Sequence, residues 1–137
     1  MAARHAIATP NAPAAMGTYS QAIVAGRMVH TAGQIGIDPR TMALVQSAEG
    51  QVEQVFRNLQ AIAEAAGSRL DDAVQLTVYL VDLSIWPLVN AWMVGHFTAP
   101  YPARSAVGVA SLPLGAVIEA QAVFSLPDPA DEDLPQN

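Results

Sequence analysis

Two charged side chains in this chain stand where charge is unfavourable. Glu119 lies within residues 117–124, a stretch otherwise composed of Val, Ile, Ala, Gln and Phe. A carboxylate in such a strand is paired, hydrogen-bonded or raised in pKa. An acid tuned towards neutrality is suited to moving protons to and from water. The bland alternative is an edge position with Glu119 turned to solvent, because glutamate is seldom fully buried. Arg104 follows Pro100-Tyr101-Pro102-Ala103, so a proline-stiffened loop sets where its guanidinium begins. Its planar five-donor fork suits bidentate capture of a carboxylate or phosphate. A surface or subunit-interface ion pair is the competing role. Tyr19, in Gly17-Thr18-Tyr19-Ser20-Gln21, and Asn90, on the polar edge of a helix, are weaker candidates.

Other chemistries are bounded by what the chain lacks. It contains no cysteine and no lysine, which removes disulfides, thiolate chemistry and Schiff-base lysines. It holds no G-x-S-x-G elbow, no Walker-type or dinucleotide glycine loop, and no H-E-x-x-H. His5, His30 and His96 lack ligand spacing, and His96 extends an apolar helical stripe, where a hydrogen-bonded packing role is expected. No metal or cofactor is called for. The six basic residues are all Arg and are scattered, against twelve acids and a net charge of −6, which argues against nucleic acid as a partner. No run approaches a membrane span and no early segment reads as a secretory signal, so a cytoplasmic protein is expected.

The elements that must position these groups follow from periodicity. Residues 21–25 and 28–35 read as two short strands joined by Gly26-Arg27, and Asp38-Pro39-Arg40-Thr41 as a turn. Val52, Val55, Phe56, Leu59, Ile62, Ala63 and Ala66 recur at helical spacing, which predicts a helix over about 47–66 with Ser47 as N-cap and Gly67 at the left-handed C′ position. Residues 73–81 read as a central strand buried on much of both faces. A second helix follows from 84–85 to 97, with Pro87 tolerable only in its first turn. Two final strands are expected at 105–110 and 116–125. The order β-β-α-β-α-β-β describes a two-layer α+β sandwich of two helices over one sheet, forming one domain over 1–126. Residues 127–137 form an acidic tail expected to be disordered. Charged residues are 13% of the chain and apolar ones 52%, so a small domain must bury apolar surface between subunits, and a homo-oligomer is expected.

At these residues the chain resembles the RidA (YjgF) family of reactive intermediate deaminases. The likeness runs from Ala8 to Phe124. It is carried by Asn11-Ala12-Pro13 with Gly17, Tyr19 and Gln21, by Thr31-Ala32-Gly33-Gln34-Ile35, Asn58-Leu59, Ala65-Ala66-Gly67, Val78-Tyr79-Leu80-Val81-Asp82-Leu83 and Val89-Asn90, and by Pro102-Ala103-Arg104-Ser105 followed by Ile118-Glu119-Ala120. The resemblance implies a chorismate-mutase-like fold in a homotrimer, with the sheets forming a central barrel and three clefts between subunits. It implies hydrolysis of enamines and imines, such as 2-aminoacrylate, to a 2-oxo acid and ammonia, without metal or cofactor. By the same likeness Arg104 would clamp the substrate carboxylate and Glu119 would activate water and shuttle protons. Tyr19 would line the cleft, Gly33 would bring backbone close to the ligand, and Asn90 would help shape the site. Ala32 and Ala106 stand where the family often carries Ser and Cys, and Thr18 where Pro is common. The two alanines leave a wider, less polar pocket, which suggests imine deamination on a bulkier apolar 2-imino acid. Two readings of another class stay open beside the enzyme: a non-catalytic trimer that binds a small carboxylate, and a chaperone-like interaction protein.

Overall fold

A computed structural model describes residues 3–129. The chain forms one twisted sheet with two helices on one face. Its strands are β1 (His5–Ile7), β2 (Ala22–Ala25), β3 (Met28–Thr31), β4 (Gln34–Ile35), β7 (Ala73–Leu80), β8 (Ala103–Gly108) and β9 (Ile118–Ser125). They run in the order β1-β2-β3-β9-β7-β8, with β4 continuing the β3 side of β9. All pairings are antiparallel except β7 with β8. A separate hairpin joins β5 (Ile37–Asp38) to β6 (Ala43–Leu44). The helices are α1 (Ala48–Ala65) and α2 (Trp86–His96). This is the expected α+β architecture.

The stripe read from the sequence is the one α1 buries: Val52, Val55, Phe56, Leu59, Ile62 and Ala63 all face the core. Each of the five larger side chains, fully removed from water, contributes about 1.5–3 kcal/mol. Ser47 caps the helix by accepting the Gly50 N–H at 3.0 Å, and Gly67 takes a positive φ of 89° where the chain turns out of it. α2 starts one residue before Pro87, after a short 3-10 turn over Leu83–Ile85, so the proline occupies the first turn as anticipated. Phe56 stacks on Trp92 with ring centroids 4.4 Å apart, joining the two helices. Among the described residues no helix is long and apolar enough to cross a membrane.

Two expectations are corrected. The strand expected over 28–35 breaks in two. From His30 opposite Val123 to Gln34 opposite Ala120, the β3–β4 chain advances four residues while β9 advances three. The extra residue is a bulge over Thr31-Ala32-Gly33, where the Thr31 hydroxyl accepts the Ala122 N–H at 3.0 Å and the Ala32 N–H bonds the Gln21 carbonyl at 2.8 Å. β7 is central, but only its helix-side face is buried: Leu76, Val78 and Leu80 face the core while Val74 and Gln75 are exposed and Thr77 and Tyr79 half-buried. Its apolar composition reads as two-sided burial, yet among the described residues nothing covers the second face. His96 takes the hydrogen-bonded packing role expected of it, its Nδ1 2.7 Å from the Trp92 carbonyl oxygen and its ring stacked on the indole at 3.7 Å, although the residue is exposed. The strand β1 and the β5–β6 hairpin carry too few residues for periodicity to show. Of the acidic tail, residues 130–137 lie outside the described residues.

Candidate functional site

Alternation along β9 sets the place of Glu119. Ile118, Ala120, Ala122 and Phe124 point into the core, so Glu119, Gln121 and Val123 lie on the open face. β9 has neighbours on both sides, so the edge position is ruled out. The carboxylate is half-buried, and among the described residues no hydrogen bond or ion pair satisfies it. Burial accordingly raises its pKa above the ordinary carboxylate value. It lines a cavity of about 590 Å3 together with Tyr19, Ala32, Gly33, Met42 and Leu114. Gly33 comes so close that a Cβ there would lie 2.6 Å from Glu119 Oε2. The bulge thus presents a bare backbone to the carboxylate, a use of glycine that the sequence alone does not disclose.

The cavity walls are pinned by buried amides. Gln21 accepts the Thr9 N–H at 2.7 Å and donates to the carbonyls of Thr9, Ala12 and Pro13 at 3.0, 3.3 and 2.8 Å, fixing the loop that leads to Tyr19. The Tyr19 hydroxyl accepts the Met16 N–H at 3.1 Å and keeps its own proton to donate. On the other side, Asn58 of α1 donates to the Ile35 and Ile37 carbonyls at 3.3 and 3.0 Å, and Gln51 accepts the Val117 N–H at 2.9 Å. Gln51 and Asn58 were missed as site-building residues. Their signal was present: two amides seven residues apart, bordering the apolar stripe of α1, mark one side of a helix buried against backbone that needs partners.

Arg104 has a different setting. Its Nη1 donates to Asn90 Oδ1 at 2.8 Å and lies 3.2 Å from Met93 Sδ, and its guanidinium carbon sits 4.2 Å from the centre of the Trp86 ring. α2 therefore holds the fork from one side by an acceptor and from another by an aromatic face. Among the described residues no carboxylate pairs with it, and partial burial lowers its pKa. It opens on a second cavity of about 400 Å3 shared with Asn90, Tyr101 and Pro102. Trp86 as a platform for Arg104 was not anticipated, since its position before Pro87 reads only as a helix start. Ala106 lines neither of these cavities.

The structure brings Tyr19, Ala32, Gly33 and Glu119 together, and Asn90 with Arg104, but it does not bring the two sets together. Glu119 is opposite Tyr79 and Arg104 opposite Leu76 on the shared neighbour β7. Positions 76 and 79 differ by an odd number, so they face opposite sides of the sheet, and their cross-strand partners do too. Within one chain the acid and the fork cannot grip one small molecule.

The chain matches, over residues 9–125, the family model described as Endoribonuclease L-PSP. It is 46% identical over 120 residues to the 2-iminobutanoate/2-iminopropanoate deaminase of Salmonella typhimurium, covering 85% of this chain and 94% of that one. Its fold is similar to the crystal structure of RidA from an Antarctic Psychrobacter, with a TM-score of 0.87 and 48% identity over 89% of this chain and 99% of that one. It is also similar to E. coli TdcF crystallised with bound serine, with a TM-score of 0.84 and 34% identity over 90% and 99% of the two chains.

Proposed function

We infer that this chain, which belongs to the RidA (YjgF) family, is an enamine/imine deaminase that converts 2-aminoacrylate-type and related 2-imino acids to 2-oxo acids and ammonia, and that its site is completed between subunits. The observation that carries this reading is the separation just described. A guanidinium lacking a carboxylate partner and a half-buried carboxylate lacking a hydrogen-bond donor lie on opposite faces of one sheet, each in its own cavity. Two copies that bring one chain's Arg104 face to another's Glu119 face satisfy both. The six residues of β8 are all exposed at the sheet edge, and the open face carries Gln75, Thr77, Tyr79 and Gln121 uncovered or half-covered. This suits a chorismate-mutase-like homotrimer in which the open faces meet in a central barrel and three clefts form between neighbours.

In such a cleft Arg104 of one subunit, held by Asn90 and Trp86, would take the substrate carboxylate with the donors that Asn90 leaves free. Tyr19, Gly33 and Glu119 of the neighbour would surround the imine carbon, with Ala32 beside them. Glu119 removes a proton from water as the water oxygen bonds to the imine carbon. The C=N electron pair moves to nitrogen, giving a tetrahedral carbinolamine. The protonated acid then returns its proton to nitrogen, the hydroxyl proton of the carbinolamine passes through the Glu119 carboxylate to the same nitrogen, and the C–N bond breaks as the carbon–oxygen double bond forms and ammonia leaves. A carboxyl group raised towards neutrality serves both transfers. Imines react readily with water, so positioning and charge stabilisation suffice and no cofactor is needed. TdcF holding serine shows that a relative of this fold takes a small amino acid. Cleavage of RNA, the activity in the family description, fits poorly with six scattered arginines and a net charge of −6.

The test is the rate of 2-oxo acid formation when the protein is added to imino acids generated in situ, with Arg104→Ala as the paired control. Acceleration that the variant loses is expected. No acceleration with any imine, together with tight binding of small carboxylates, would replace the enzyme by a binding trimer. A chaperone-like role would survive Arg104→Ala unchanged.

A further inference from the structure

Two residues of the Glu119 cavity have backbones that their side chains do not favour. Met42 and Leu114 both have φ of 58°, and among the described residues they are the only non-glycine positions with left-handed backbone. Both line this one cavity. Met42 ends the four-residue loop of the β5–β6 hairpin, where its N–H bonds the Asp38 carbonyl at 2.8 Å. That turn is locked by Asp38, whose carboxylate accepts the Arg40 N–H at 2.9 Å and two guanidinium bonds at 3.2 and 2.9 Å. Leu114 lies between Pro113 and Gly115, and Gly115 is itself left-handed at φ 73°. Glycine or asparagine would meet either turn without strain. Turn geometry therefore does not account for a long apolar side chain at both places.

Neither side chain is recruited by the core. Met42 is 39% exposed and Leu114 72% exposed. What they share is the mouth of one cavity, whose walls also include Met16, Ile35 and Ile37 and whose polar side chains are Tyr19, Gln34 and Glu119. A volume of about 590 Å3 lies within the range of small-molecule sites and far exceeds the need of the smallest imino acid. Strained residues that gather at one ligand-sized hollow are there for what they touch.

We propose that Met42 and Leu114 form an apolar jaw that receives the substrate's side chain, so that the chain acts on 2-imino acids with branched or long hydrophobic side chains in preference to the three-carbon imino acid. The proposal rests on the deaminase reading and specifies its substrate class. Both residues are specificity determinants, since the reacting atoms lie with Glu119 and Arg104.

Leucine-, alanine- and glutamine-derived imino acids, generated in situ by an amino-acid oxidase, supply the test. The expected kcat/KM ranks the leucine-derived imine about tenfold above the alanine-derived one, with the glutamine-derived imine below the leucine-derived, as the loss of apolar groups from a hydrophobic pocket dictates. Met42→Gly and Leu114→Gly should each lower the leucine-to-alanine ratio several-fold. Glycine suits the left-handed backbone at both positions, so the variants fold and their Tm stays at or above the parent's. A parent ratio of one or less, or a ratio unmoved in both variants, overturns the proposal. No acceleration of any of the three imines overturns the deaminase reading and the proposal together, an outcome the same series tells apart from loss of the ranking alone.

Discussion

β9 and β8 each carry one of the two charged groups, and they are built in opposite ways. β9 has partners along both edges, alternates buried and less buried positions, and receives Glu119 into a hollow whose walls come from three other parts of the same chain. β8 has one neighbour, runs parallel to it, and is exposed at all six positions. Among the described residues its Arg104 is steadied only by α2. The hollow around the acid is walled by one chain, although its carboxylate finds no donor there, whereas the fork's surroundings are half-made. A strand left bare at an edge is a template for association, and here it carries the group that the other half of the site lacks.

The comparison can be broken most forcefully at its two ends. Arg104→Ala and Glu119→Gln should each lower imine turnover by about 10²- to 10³-fold, the usual loss on removing one charge-stabilising group. Steady-state kinetics should separate them, with the arginine variant raising KM and the glutamine variant lowering kcat. A smaller effect is expected where the halves are tuned. At Gly33 an added Cβ would meet the Glu119 carboxylate at 2.6 Å. Since that carboxylate is the end of a flexible side chain, Gly33→Ala should fold and shift it, lowering kcat about tenfold. Asn90→Ala removes the acceptor that aims Arg104 and should raise KM about three- to tenfold with kcat little changed.

The smallest effect concerns stability and pH. Burial raises the Glu119 pKa in the folded chain above its value in the unfolded one. The folded state then holds the proton more tightly, so the stability Glu119 contributes is full below the ordinary carboxylate pKa and is lost as pH rises through the raised one. Glu119→Gln should therefore be slightly more heat-stable than the parent at neutral pH. The difference in Tm should grow across that window and stay flat above it. In the parent, the acid limb of kcat/KM should lie above the ordinary carboxylate range, and melting curves and rate profiles over the same buffers check both.

Much of this was readable from residue types and spacing. α1 was legible because eighteen residues give its apolar stripe several repeats, and its cap and C′ glycine are chemically specific. Glu119 and Arg104 stood out because charge in an apolar strand and a fork after a rigid loop are local anomalies. The bulge at Thr31-Ala32-Gly33 was not legible, because it depends on register with β9, a partner about ninety residues away. The exposed second face of β7 misled for a similar reason. Apolar composition records that a face is to be covered, and it does not record whether the cover belongs to the same chain. That Arg104 and Glu119 face opposite ways follows only once both are paired to β7, although each had been singled out separately.

The central claim is that a working cleft takes Arg104 from one subunit and Glu119 from another. The direct measurement mixes two inactive variants, Arg104→Ala and Glu119→Gln, unfolds and refolds them together, and assays imine hydrolysis. In randomly mixed oligomers roughly a quarter of the clefts regain both groups, so activity should return to about a quarter of the parent's while each variant refolded alone stays inactive. A mixture no more active than its two components would contradict a site shared between subunits.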